Sequence, residues 1–256
     1  MTTDLNKPEL SPVVGASPQG ASDESSAAIA VRDMFTSIAP RYDLLNHVLS
    51  MNVDRLWWNR TARSFATILN RPGAKVLDLC CGTGDMTFAL YRHSKSPDVE
   101  FTGADFSHAM LALAQQKSAT RRIRWVEADA LHMPFSTGQF DLVTAAFGFR
   151  NLANYNQGLQ EIYRVLAPGG EIGILDFGEP KGLIGAVYRF YFRRILPAIG
   201  TAISGVSGPY KYLPASVRRF PAPEQMLDRM REAGFREVSW APYTFGIAGL
   251  YRGKKP

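Results

Sequence analysis

One stretch of the chain decides its fold: KVLDLCCGTGD, from Lys75 to Asp85. An apolar run ends in an acidic residue, and a loop of small residues then leads into a segment with helical character. This order predicts a strand, a tight loop and a helix. Such a loop presents backbone N–H groups at a helix N-terminus, where they can hold a polar cofactor. The pattern alone does not choose the cofactor, because many nucleotide-binding folds share it.

Strands and helices alternate after this loop. The pattern predicts strands at 75–79, 100–104, 123–127, 140–146 and 171–177, with helices at 86–92, 108–118 and 154–165. This alternation indicates an α/β fold with a parallel sheet and helices on both faces. A late helix at 225–233 and a closing hairpin at 238–242 and 245–251 bring the predicted sheet to seven strands, most of them parallel.

Two acidic positions follow predicted strands. Asp105 comes directly after the second strand, where a carboxylate can accept two hydrogen bonds from a ribose diol. A dinucleotide would suit that position equally well. Asp129 and Ala130 follow the third strand, where the side chain can accept from an adenine amino group and the next backbone N–H can donate to the ring. This pair favours S-adenosylmethionine (SAM), and the predicted cofactor-binding residues are therefore Gly82, Thr83, Asp105, Asp129 and Ala130.

Two further elements complete the pattern: Phe140-Asp141 at strand four, and Pro168-Gly169-Gly170 as a turn before strand five. In this order and spacing, residues 69–177 resemble class I SAM-dependent methyltransferases. Cys80 and Cys81 are interpreted as small loop residues. Adjacent cysteines rarely form a disulfide, so a reducing, cytoplasmic setting is expected, and no metal site is predicted.

The chain of 256 residues carries a net charge of +6. Residues 1–26 are rich in Ser, Pro, Ala and Gly and are predicted to be a disordered tail. Residues 27–256 are predicted to form one domain, made of a helical lid (27–70), the SAM-binding core (71–180), a helical insert (181–220) and a C-terminal helix with a hairpin (221–256). Neither a signal peptide nor an apolar stretch of the ~20 residues that a membrane span needs is found.

The basic residues concentrate late in the chain. Residues 181–256 carry 13 basic and 4 acidic residues, which suggests an anionic partner. The insert places Arg189, Arg193 and Arg194 among aromatic residues, as in segments that lie at a membrane surface or meet a lipid substrate. A helix packed on the domain with its charges in solvent is the alternative. We therefore expect a cytoplasmic protein in peripheral contact with the inner face of the plasma membrane.

Four segments outside the shared core carry a finer resemblance. They are FTSIAPRYDLLNHVLS at 35–50, FGFRNL at 147–152, RVL with PGG at 164–170, and a tail that includes YKYL at 210–213. Together they resemble the ubiquinone/menaquinone biosynthesis C-methyltransferases, the family that contains demethylmenaquinone methyltransferase. The resemblance runs from about Val31 to Lys254.

The resemblance implies methyl transfer from SAM to a ring carbon of a prenylated quinol. It implies demethylmenaquinol, converted to menaquinol, as the acceptor, and 2-polyprenyl-6-methoxy-1,4-benzoquinol as a second one. A ring carbon is a poor nucleophile until a hydroxyl with a pKa near 10 loses its proton, and a nearby cation favours that loss. Arg150 is the predicted cation, holding the phenolate or a water, beside Asn151. Tyr42 is predicted to be a lid residue that contacts SAM or the ring.

Alternatives stay open at this point. Arg150 also suits a helix-capping salt bridge, and Tyr42 a packed helix aromatic. The chain departs from the family at Asp54 (usually His), Ala146 (Ser), Asp176 (Glu) and Gly178 (Ser), so the acceptor is not settled. Another small or prenylated aromatic molecule is the second candidate, and a non-catalytic scaffold a further one. The basic tail makes RNA methylation a further candidate function. The sequence lacks an Asn-Pro-Pro-Tyr element, however, and no nucleic-acid partner is expected. A homodimer is left open.

Overall fold

The structure is a computed structural model that describes residues 14–16, 18, 21–39, 52–118, 120–180, 182, 185 and 208–256, with the backbone alone at 208–211. Tyr42, predicted to be a lid residue, falls outside the described residues. So do Arg189, Arg193 and Arg194 of the insert. The lid role and the insert's membrane contact therefore remain predictions.

Seven strands form one sheet with the order β3-β2-β1-β4-β5-β7-β6. The strands are β1 (Lys75–Leu79), β2 (Glu100–Asp105), β3 (Ile123–Glu127), β4 (Phe140–Ala146), β5 (Leu166–Phe177), β6 (Arg236–Tyr243) and β7 (Ala248–Lys254). The pairs among β1 to β5 are parallel, whereas β7 runs antiparallel to both β5 and β6. The predicted mostly parallel, seven-stranded α/β fold is confirmed.

Helices cover both faces of this sheet. They are α1 (Glu24–Ile38), α2 (Val53–Ser64), α3 (Ala66–Leu69), α4 (Asp85–His93), α5 (His108–Lys117), α6 (Tyr155–Val165), α7 (Gly208–Arg219) and α8 (Pro223–Glu232). One buried cluster joins Trp57, Phe65 and Leu90 on one face. The other joins Leu159 and Met226 on the opposite face. The sheet is therefore the middle layer of the fold. No helix within the described residues has the length and apolar character to cross a membrane.

The predicted disordered tail differs from the structure at its end. Helix α1 begins at Glu24, three residues before the predicted start, because Asp23 and Ser26 form a reciprocal capping box. Further upstream, the Ala16 N–H donates to the Leu152 carbonyl at 2.7 Å, and Ala16 is buried. A composition poor in large apolar residues could not reveal this packing, because the small residues fit against backbone.

The turn predicted before strand five is a bulge inside β5. The strand begins at Leu166, opposite Phe140, and its register shifts before Glu171. Gly169 has a φ of 77°, which a glycine adopts without strain. Gly169 and Gly170 then exchange backbone hydrogen bonds with Lys255, so the Pro-Gly-Gly stays in the sheet instead of leaving it.

Candidate active site

A cleft opens at the carboxyl edge of the parallel strands, where loops from β1, β2, β3 and β4 meet. It encloses about 720 Å³, including its open mouth, which is a usual size for a small-molecule site. Its lining includes four of the predicted cofactor residues: Gly82, Asp105, Asp129 and Ala130. Thr83 lies in an adjoining smaller cleft that shares Cys80 and Gly82 with the first. The tertiary structure therefore brings all five together around one loop.

The glycine-rich loop is held in a left-handed path. Cys80, Gly82 and Gly84 have φ values of 53°, 54° and 91°. Gly84 is the N-cap residue of α4, and a Cβ there would lie 2.7 Å from the Trp125 ring. The Trp125 ring fills the space beside Gly84, whereas Gly82 lines the cleft, so a polar ligand can approach the loop at Gly82.

Asp105 ties this loop to β2. Its Oδ2 accepts the Gly82 N–H at 2.8 Å and its Oδ1 accepts the Ser107 N–H at 2.9 Å. Each carboxylate oxygen keeps a second lone pair, so a ribose diol can still donate to both. Burial raises the pKa of Asp105 to about 6, although the backbone donors oppose that shift. Donation from a bound diol would favour the charged form.

Asp129 and Ala130 form the adjoining wall, together with Phe106 and Met110. Asp129 is exposed, and its Oδ1 accepts the Leu131 N–H at 2.9 Å. Ala130 is buried against the core. A carboxylate next to apolar side chains suits a flat base with an exocyclic amino group, as the sequence predicts for adenine.

Asp78 is a site residue that the sequence reasoning passed over. It lies within β1, fully buried, and accepts hydrogen bonds from Thr87 Oγ1 at 2.6 Å and Thr144 Oγ1 at 2.8 Å. It lines the smaller cleft beneath the loop. Burial raises its pKa to about 7. The available signal was a carboxylate between Leu77 and Leu79, since a charged residue inside an apolar strand needs a specific partner.

The two cysteines serve as packing residues. Burial raises the pKa of both the Cys80 and the Cys81 thiol well above the usual range, so both stay protonated at neutral pH. A resting thiolate nucleophile is thereby excluded. Cys80 instead packs against the β4 loop, because a Cβ on Gly148 would lie 2.3 Å from the Cys80 Cβ. This close approach explains the glycine in the FGFRNL segment at 147–152.

Arg150 lies behind the cleft wall and does not line it, whereas its neighbours Gly148 and Asn151 do. Its side chain is buried in a pair with Asp176, with Nη1 2.9 Å from Oδ1. Nη1 also donates to the Phe147 carbonyl. Arg150 Nε is buried without a hydrogen-bond partner in the part of the chain that the structure describes. The geometry thus agrees with the salt-bridge interpretation of Arg150. Among the described residues, its Nε–H donor is not used by that pair.

The N-terminal residues close one side of the cleft. Ala28 and Phe35 of α1 line it, opposite Leu152 and Ala153 of the β4 loop. The Ala16 backbone bonds that same loop. The segment before Ala27, predicted to be a free tail, therefore supports the wall of the site.

The residues present fit SAM. A buried carboxylate stands where a ribose would lie, an acid–alanine pair where the base would lie, and a left-handed loop leaves space between them. A sequence model of the ubiE/COQ5 methyltransferase family matches residues 21–255. The chain belongs to this family. It is a SAM-dependent methyltransferase, as the sequence predicted.

Relatives of this methyltransferase are similar along nearly their whole length. A demethylmenaquinone methyltransferase of Deinococcus radiodurans is 49% identical, with 91% of this chain and 95% of the relative covered. One of Thermus thermophilus is 50% identical over 87% of this chain and all of the relative. A mitochondrial 2-methoxy-6-polyprenyl-1,4-benzoquinol methylase of Caenorhabditis elegans is 34% identical over 91% of this chain and 82% of the relative.

Solved structures support the fold alone, since their identity is low. The methyltransferase is similar to a SAM-dependent methyltransferase of Thermotoga maritima, with a TM-score of 0.63, 18% identity, and 88% of this chain and 100% of the other covered. It is also similar to the [4+2]-cyclase SpnF, with a TM-score of 0.64, 17% identity, and 96% and 98% covered.

Proposed function

We propose that this methyltransferase transfers the methyl group of SAM to a ring carbon of a polyprenylated quinol, with demethylmenaquinol as its principal acceptor. The observation that carries the acceptor is the printed name of the two relatives near 50% identity, both demethylmenaquinone methyltransferases. The methoxy-benzoquinol is the second candidate, favoured by the nematode relative at 34% identity.

SAM, when bound, supplies an electrophilic methyl group. The chain's part is to hold cofactor and ring in line, exclude water and favour the phenolate. Asp105, Asp129 and the loop at Gly82 bind the cofactor. Ala146, Phe147 and Gly148 line the cleft with side chains that carry no polar atoms, which suits an aromatic ring.

Arg150 and Asn151 form the proposed proton-handling pair. The Asn151 side chain lies at the cleft, where its Oδ1 accepts from Tyr212 Oη at 3.2 Å. The Asn151 amide nitrogen donates one hydrogen to the Phe147 carbonyl at 3.5 Å, so its second N–H is the group proposed to donate to a ring oxygen. Arg150 lies behind the cleft wall, and its Nε–H, which has no hydrogen-bond partner among the described residues, suits a bound water better than the ring itself. Two roles are open to Arg150: holding the phenolate or holding a water. We therefore favour the second.

Asp176 cannot take the proton directly, because its side chain is fully buried and bonded to Arg150. Its function is to orient the guanidinium. Asp54, where the family resemblance leads us to expect a histidine, is buried as well, and its Oδ1 accepts the Arg55 N–H at 2.7 Å. This geometry favours a structural use of Asp54 at the start of α2 over a base role.

The test is methyl transfer from labelled SAM to demethylmenaquinol dispersed in detergent, run beside the methoxy-benzoquinol and a control without quinol. Label in menaquinol above the other two supports the proposal. Label in the benzoquinol alone would show that the methoxy-benzoquinol is the acceptor. Label in neither, with SAM still bound, would point to a different aromatic acceptor. Arg150→Ala should lower kcat while leaving SAM affinity near normal.

A further inference from the structure

Two exposed apolar side chains lie on neighbouring surface elements. Among the described residues, the large apolar side chains that are exposed are Ile29, Leu56 and Phe245. Leu56, on α2, is 68% exposed and Phe245, in the turn between β6 and β7, is 77% exposed. Trp57 Nε1 donates to Thr244 Oγ1 at 2.8 Å and joins the two elements. Ile29 belongs to α1, on a different part of the surface.

The turn that carries Phe245 adopts an unfavourable backbone conformation. Thr244, Phe245 and Gly246 have φ values of 43°, 58° and 86°. Left-handed backbone costs a side-chain-bearing residue roughly 1–2 kcal/mol, and most for a β-branched one such as threonine. The turn therefore holds a phenylalanine out in solvent at a cost, and strain of this kind commonly marks a functional position.

The same face of α2 is strongly positive. Arg55, Leu56, Arg60 and Arg63 share the exposed side of the helix, whose acidic residue, Asp54, is buried. Arg60 Cζ lies 4.1 Å from the centre of the Tyr243 ring, at the start of the turn. Three arginines therefore share the exposed side of α2 with Leu56, and one of them contacts the residue that precedes the turn.

The titratable groups near this face include a histidine and an exposed acid. Burial, with Arg63 and Arg92 nearby, lowers the pKa of His93 on the adjacent helix α4. On the turn side, an exposed acid is Glu179, next to Gly178, whose N–H donates to the Ile247 carbonyl at 2.9 Å. The three exposed arginines of α2 outnumber the acid named here on the turn side.

This face adjoins the cleft. The Trp57 ring lies 5.8 Å from the Phe147 ring and 6.1 Å from the Phe177 ring, and Phe147 lines the cleft. The turn follows the same edge of the sheet, because Phe177 at the end of β5 pairs with Ala248 at the start of β7. Trp57, the neighbour of Leu56 in sequence, thus packs on an aromatic cluster that reaches the lining of the cleft.

We propose that Arg55, Leu56, Arg60, Arg63 and Phe245, here called the α2 face, dock on an anionic phospholipid bilayer. Leucine and phenylalanine would enter the acyl boundary, and the arginines would contact phosphate groups. Interfacial segments place their apolar and basic side chains in this way. The docked cleft would then lie next to a quinol held in the bilayer. The gain for catalysis depends on the proposed function, whereas the docking itself does not.

The first test is flotation of the full chain with vesicles of phosphatidylcholine alone and with added phosphatidylglycerol. Binding should need the anionic lipid and weaken at high salt. The triple change Arg55→Gln, Arg60→Gln and Arg63→Gln should lower partitioning roughly five-fold per arginine. The double change Leu56→Ser and Phe245→Ser should lower it on the order of tenfold.

One control matches the change in net charge, and a second removes an exposed apolar side chain at another place on the surface. Arg122→Gln with Arg124→Gln and Arg236→Gln removes three exposed arginines elsewhere. Ile29→Ser removes the other exposed apolar side chain. Both controls should float like the parent protein. Each α2-face variant should bind SAM with parent affinity, which shows that it is folded.

Activity separates this proposal from the preceding one. The α2-face variants should methylate a quinol in detergent at the parent rate and a quinol embedded in anionic vesicles at least five-fold more slowly. Absence of methylation by the parent with any quinol would overturn the proposed function but leave vesicle binding as a valid result. Parent-like flotation of the α2-face variants, or retention of RNA in place of vesicles by the parent, would overturn the docking proposal.

Discussion

Asp176 holds Arg150 at two points: its Oδ2 accepts the Arg150 backbone N–H at 3.1 Å, and its Oδ1 accepts Nη1 at 2.9 Å. One carboxylate at the end of β5 thus sets both the course of the loop after β4 and the direction of the guanidinium. The loop between Phe147 and Asn151 forms the cleft wall, so the pair connects the sheet to the site. The position of Arg150, the predicted catalytic cation, therefore depends on a second buried charge, that of Asp176.

Replacing Asp176 with Asn should be costly. The change leaves the Arg150 charge buried beside a neutral amide, and breaking such a pair costs about 3–5 kcal/mol. We expect the free energy of unfolding, measured by urea denaturation, to fall by about 3 kcal/mol. We also expect kcat to fall more than the affinity for SAM.

The matched control is Glu171→Gln. Glu171 Oε2 lies 2.7 Å from Arg252 Nη2, but both side chains are partly exposed. Solvent screens such a pair, so the loss should be below about 1 kcal/mol. Equal losses for Asp176→Asn and Glu171→Gln would show that burial of the first pair has no special importance.

Gly148 and Cys80 should depend on each other. A methyl group at position 148 would lie 2.3 Å from the Cys80 Cβ, so Gly148→Ala should cost about 1–3 kcal/mol of stability through overpacking. Cys80→Gly removes that Cβ and also the left-handed strain at a φ of 53°. Thermal unfolding of both single variants and the double variant should show the double variant recovering most of the loss. Strictly additive effects would contradict the contact.

Asp105 should matter for cofactor affinity. Asp105→Ala removes the carboxylate proposed for the ribose diol and the acceptor of the Gly82 N–H. Hydrogen bonds to charged groups contribute about 1.5–3 kcal/mol each, so SAM should bind on the order of 100-fold more weakly by titration calorimetry. Asp141→Ala serves as the comparison, because Asp141 caps the Lys75 N–H at the opposite edge of the sheet. Normal SAM affinity after Asp105→Ala would show that Asp105 does not contribute to cofactor binding.

Asp78 should make stability depend on pH. A carboxyl group in an unfolded chain has a pKa of about 3.9, whereas burial raises that of folded Asp78 to about 7. Between these values the folded protein keeps a proton that the unfolded chain loses. The favourable contribution is therefore complete below about pH 4 and is lost as the pH rises through about 7.

Asp78→Asn should accordingly flatten the decrease in unfolding free energy between pH 5 and 8, measured by urea denaturation without cofactor. The flattening should be partial, because Asp105, with a pKa of about 6, changes stability in the same direction over part of that range. Asp228→Asn, at an exposed helix position, should leave the slope unchanged. An unaltered slope after Asp78→Asn would show that this carboxyl is already charged in the folded state.

Much of the fold could be predicted from local patterns. The bounds of β1, β3 and β4 agree with the structure. The apolar runs of β1 and β4 specify buried parallel strands, whereas β3 lies at the edge of the sheet and is only partly buried. The helices agree to within a few residues. The main errors lay where backbone contacts decide: the bulge at Gly169, and the N-terminal packing of Ala16 on Leu152.

By itself, the sequence determined the order of strands and helices, the glycine-rich loop, the acids that follow the strands and, through its motifs, the family. These features depend on residue type and spacing along the chain, which local sterics and hydrophobic periodicity translate directly into structure. Only the tertiary structure placed Arg150 behind the cleft in a buried pair with Asp176, and set Phe245 next to α2. Such contacts join residues far apart in sequence, and their geometry depends on how the packed layers meet.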